Sequence, residues 1–141
     1  MMRERAKSVD RLLRVRTLQL GMHRAEEARA HDRRASEAEL AGRIARLADG
    51  VAPTAIASDG FALVAAAHFR QRLHQSAEAA EARLRIAELG VERAVVATRE
   101  ARRDHSAVEK LRARAEADAA LKAVRALEAT PSVRKIRHDP C

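Results

Sequence analysis

From Leu73 onward the sequence returns, in strict alternation of four and three residues, to a short list of side chains: Ala77, Ala80, Leu84, and so on through Thr98 and Ala101 to His105 and Val108. A repeat averaging 3.5 residues over about five heptads keeps one face of a helix against a partner only if the two supercoil left-handedly. A strand, whose side chains alternate every second residue, cannot use this pattern. The chain is therefore expected to be all-α: a long antiparallel two-helix coiled-coil hairpin, with the second helix longer than the first.

Composition limits the thickness of such a core. Two Phe are the only aromatics, charged residues make up 34%, and much of the apolar fraction is alanine. Large aromatic side chains, which usually supply much of the buried area, are all but missing. A thin seam with closely approaching helices is what remains, and this composition is typical of coiled coils.

Punctuation divides the chain. A helix is expected over about 3–48, a loop over 49–58, a second helix over about 59–129 and a flexible basic tail over 130–141. Ser8-Val9-Asp10 could cap the first helix, with the residues before it frayed. Asp49-Gly50 is expected to stop it through the left-handed conformation open to glycine, and Pro53 to keep it from resuming. Ser58 or Asp59 could cap the second helix, and Thr130-Pro131 should end it. Leu12, Val15, Leu18, Met22 and Ala25 mark one face of the first helix. Leu40, Ile44 and Leu47 mark a face in a different phase, so a stutter is expected between them. Counting back from the loop sets Arg5 near Arg102. The second helix would then run uncovered beyond about residue 103, leaving Val108, Leu111, Leu121, Val124 and Leu127 to be covered by the first helix, by another copy or by a partner.

The net charge of +8 is unevenly spread. Residues 1–35 carry five excess positive charges and 99–141 carry four, while 36–98 carry one excess negative charge. An antiparallel hairpin would thus have one basic end, which steers acidic partners toward it. Nucleic acid is not expected as a partner: basic and acidic residues interleave, and no stacking platform or recognition motif is present. Nor is catalysis expected. No phosphate-binding glycine loop, cysteine pair or carboxylate cluster appears, and none of the six histidines forms an HExxH spacing. His105 reads as a seam residue, and no cofactor or metal is expected. The single Cys141 allows no internal disulfide. No apolar run is long enough to cross a bilayer, no signal-peptide pattern follows the first residues, and a cytoplasmic location is expected. Phe61 and Phe69, with Leu63, Val64 and Leu73, admit two readings. They could staple the hairpin end against Leu40, Ile44 and Leu47, or they could offer a partner an apolar patch.

The stretch Arg99-Glu-Ala-Arg-Arg-Asp-His-Ser-Ala-Val-Glu-Lys-Leu-Arg112, with Glu109, Lys110 and Leu111 after a basic run, resembles the second helix of the FliJ family of flagellar export proteins. The opening Leu12-Leu13-Arg14-Val15-Arg16 and the layout of helix, loop and longer helix are similar to the same family, and more distantly to the YscO-type injectisome proteins. The resemblance implies a cytoplasmic component of the type III export apparatus, peripheral to the membrane. It implies a coiled-coil stalk and chaperone linking an export ATPase ring (FliI-like) to an export-gate protein (FlhA-like), with a role in handling export chaperones. On that reading Arg14, Arg16, Arg102, Arg103 and Lys110 would face the ATPase, and Phe61, Phe69 and Leu73 a second partner. The competing expectation is a structural or adaptor coiled coil that self-associates.

Overall fold

The computed structural model describes residues 2–51 and 60–131, with side chains from residue 4 onward. Two helices make up nearly all of them: α1, Met2–Gly50, and α2, Gly60–Glu128. They pack against each other as a two-helix hairpin, and no strand occurs among the described residues. Runs of Ala, Arg, Glu and Leu, all strong helix formers, carry α1 through Gly21 and Gly42 without a break.

The ends differ from the sequence expectation in two places. α1 continues through Asp49 and Gly50, and no described residue has a positive φ, so Gly50 provides no left-handed stop. Ser8 is not a cap: its Oγ donates to the Glu4 carbonyl at 2.9 Å, the back-bond of a serine inside a helix. At the other terminus Pro131 enforces the expected end. α2 closes at Glu128, and the Thr130 hydroxyl donates to the Ala126 carbonyl at 2.9 Å, satisfying one of the last carbonyls. The proposed Pro53, Ser58 and Asp59 signals and the 132–141 tail lie outside the described residues.

The fold divides into a terminal unit, Met1–Thr17 with Arg103–Cys141, and a central unit, Leu18–Arg102. In the terminal unit Asp10 pairs with Arg112 at 3.2 Å and Arg16 with Asp104 at 2.9 Å. In the central unit Arg34 meets Glu88 at 3.9 Å and Glu37 meets Arg83 at 3.5 Å. Partners descend on α2 as they ascend on α1, so each unit is antiparallel. These exposed pairs add little stability, but they select one register among many.

That register corrects the expected one. Arg5 lies beside Ala115 and Lys122, not near Arg102, and Ala48 lies beside Arg70 and His74. α1 therefore runs beside α2 past residue 103 and Val108 is buried, but every described α2 residue after it is exposed, Leu111, Leu121, Val124 and Leu127 at 50–75%. Gly60 to Phe69 precede the point where α1 ends and are exposed throughout. Counting from the loop fails because α2 begins about three turns before its first partner on α1.

The α2 seam is where its period puts it. Every position from Leu73 to Val108 in the four-three series is buried or half-buried, and Ala80 is 0% exposed. The α1 seam is not the expected one. Leu12, Val15, Leu18 and Met22 face outward at 42–69% exposure, and Leu40 and Leu47 at 38% and 60%. The buried line instead runs through Leu13, Leu20, Ala30, Ala41 and Ile44, which share a single heptad phase, so no stutter is needed. Keeping phase with α2 outweighs burying the more continuous apolar line. The consequence is that Arg16, His23 and Glu27 occupy seam positions, half-buried; Arg16 packs its stem and carries its charge to Asp104, whereas His23 Nδ1 is buried without a hydrogen bond, 3.6 Å from Glu26 Oε2.

Thr98, 4% exposed, is the buried polar residue of the central seam. Its Oγ1 lies 3.0 Å from the Ala94 carbonyl and 3.2 Å from the His23 carbonyl across the interface, sharing one proton between them. Both carbonyls lie in helix interiors and already accept helical N–H groups. Thr98→Val is thus expected to change unfolding free energy by less than about 1 kcal/mol. Urea denaturation checks this, and a loss of twice that size would make the crossing bond a structural necessity.

Candidate partner-binding sites

α2's early start places an apolar group at one end of the central unit. Phe61, Leu63, Val64 and Phe69 are 50–81% exposed on a stretch of α2 that α1 does not reach. The staple against Leu40, Ile44 and Leu47 does not form. Ile44 is a seam residue lower on α1, and its two leucine neighbours face outward. Leu73 parts from the phenylalanines, because it is half-buried in the seam beside Ala48.

The basic residues also divide. Arg14, Arg103 and Lys110 are exposed in the terminal unit, with no ion pair engaging them among the described residues. Arg103 and Lys110 stand one heptad apart on the same line of α2. Arg16 is different: half-buried on the seam, it is bound to Asp104 and acts within the hairpin. Arg102, exposed, closes the central unit. His105 lies on the seam as its spacing predicted, with Nε2 3.1 Å from Thr17 Oγ1 and Nδ1 3.5 Å from Glu109.

A third surface was not anticipated. In the central unit Arg33 and Glu37 of α1 and Arg83, Ile86, Ala87, Gly90 and Arg93 of α2 enclose a groove of about 380 Å³. Segment charges conceal it, since residues 36–98 are collectively near neutral. Only the correct register brings Arg33 to Arg83 and Arg93. No group of three or more His, Cys, Asp or Glu side chains converges as a metal site among the described residues.

No family model, curated protein or solved structure matches this chain. The functional reading rests on these surfaces and on the sequence resemblance.

Proposed function

We propose that this protein is a FliJ-like coiled-coil component of the bacterial flagellar type III export apparatus, acting by binding rather than catalysis. In this reading it joins an export ATPase to an export-gate protein and handles export chaperones. It would work at the cytoplasmic side of the membrane as a peripheral component; no described helix is long and apolar enough to cross one. The observation that carries the reading is the helical hairpin whose longer second helix outlasts the first, the architecture the resemblance implies. Its exposed apolar stretch belongs to the central unit, and Arg14, Arg103 and Lys110, which no ion pair engages among the described residues, belong to the terminal unit. Arg14, Arg102, Arg103 and Lys110 would meet the ATPase, and Phe61 and Phe69 the gate, while Arg16 and Leu73 support the hairpin.

The test is co-purification with a flagellar export ATPase and the cytoplasmic part of its gate protein at low and high salt. Reversing Arg14, Arg103 and Lys110 to Glu is expected to abolish ATPase capture at low salt and leave gate capture intact. Phe61→Ser with Phe69→Ser should do the opposite. If neither partner is captured by the unaltered protein, the export assignment fails. A second reading, a self-associating structural coiled coil, is favoured by the outward-facing Leu18, Met22, Ile86 and Val96 of the central unit. Light scattering that gives a dimer together with no capture would support it.

A further inference from the structure

We infer that the central groove is a docking site for an acidic amphipathic helix of another protein. This does not depend on the export reading, because it follows from what lines the groove. Three arginines face a single carboxylate there, and Glu37 is already committed, with Oε2 3.5 Å from Arg83 Nε. Arg33 and Arg93 are exposed, and no ion pair or hydrogen bond occupies either among the described residues. The lining between them is apolar: the half-buried Ala87 and Gly90, with Ile86, 69% exposed, at the rim.

Gly90 is the second observation. It sits inside α2, where glycine costs about 1 kcal/mol relative to alanine. Nothing within the chain asks for it: its φ is not positive, and a Cβ there would meet no atom within 4 Å. The space above it is open toward the groove. A glycine that the hairpin itself does not use lets a foreign backbone come close to α2.

Spacing identifies the ligand class. Arg83, Ile86, Gly90 and Arg93 follow one another at three, four and three residues along one line of α2. Arg83 and Arg93 are therefore about 15 Å apart along the axis, too far for one phosphate or carboxylate to bridge. A helix laid along the groove meets these demands, with apolar residues over Ile86 and Gly90 and acidic residues about three turns apart against the arginines.

The test uses the full chain and a fluorescein-labelled helical peptide with leucines along one face and glutamates flanking them at that spacing. A twin with lysine for glutamate is the control. Anisotropy is expected to show salt-sensitive binding of the acidic peptide only. Arg33→Glu with Arg93→Glu should weaken binding at least about tenfold. Gly90→Leu should weaken it similarly while raising the melting temperature, a combination that damage to the fold cannot produce. Arg72→Glu, exposed but outside the groove, should bind normally. Equal binding of the lysine twin, or wild-type affinity in the groove variants, would overturn the inference. Stoichiometric displacement by pyrophosphate would reassign the groove to small anions. A free protein that sediments as a dimer and becomes monomeric in the Arg33 and Arg93 variants would assign it to a second copy.

Discussion

Ala80→Leu should destabilise the hairpin by about 1–3 kcal/mol, although leucine is the more hydrophobic residue and nearly as good a helix former. Ala80 is 0% exposed, the most completely buried residue described in the chain. The Glu37–Arg83 pair sets the local register and brings the half-buried Ala41 opposite it. Two alanines facing each other let the helices approach closely, and a leucine there must either leave its rotamer or push the backbones apart. The control is Ala79→Leu, one residue away and exposed, which should change stability by no more than about 0.5 kcal/mol. Urea denaturation of both variants gives the comparison. A more stable Ala80→Leu protein would mean the seam is underfilled and that alanine was not selected by close approach.

The same seam shows why one helix could be read from its sequence and the other could not. On α2 small and apolar residues from Leu73 to Val108 fall on one heptad line, and period alone identifies the buried face. α1 offers two competing lines. Leu12, Val15, Leu18 and Met22 form a more continuous apolar line than Leu13, Leu20 and Ala30, which are interrupted by Arg16, His23 and Glu27, yet they are left outside. The choice is made by the partner helix, since only the second line stays in phase with α2 along its length. Local hydrophobicity carries no such information. Register was hidden for a related reason. The loop gave no sign that α2 would run ten exposed residues before meeting α1, so pairs counted from the loop were displaced by several turns. The functional surfaces inherit these differences. Phe61 and Phe69 could be singled out because they are the only aromatics, and Arg103 and Lys110 because they lie in a basic run. Arg83 and Arg93 are near neighbours along α2 in a segment of unremarkable charge, but Arg33 comes from the other helix, and no window along the sequence could have joined it to them.

Ala6→Cys with Ala115→Cys, in a Cys141→Ser background, is expected to form an internal crosslink nearly completely under mild oxidation. Both alanines line one groove of the terminal unit, close to the Asp10–Arg112 pair. A disulfide requires Cα atoms within about 7 Å, so its formation reports register directly. Moving the second cysteine to Ala107 displaces it by eight residues, or about 12 Å along the helix, and should abolish the internal product. Dilution separates the alternatives, because an internal bond forms independently of protein concentration and a bond between copies does not. The result bears on function. If Ala6 and Ala115 join within one chain, α1 flanks Arg103 and Lys110, and any partner must recognise them on a two-helix surface. If the product is only a concentration-dependent dimer, that part of α2 is covered by another copy. The basic residues would then belong to an assembly interface, and the ATPase assignment would lose its contact surface.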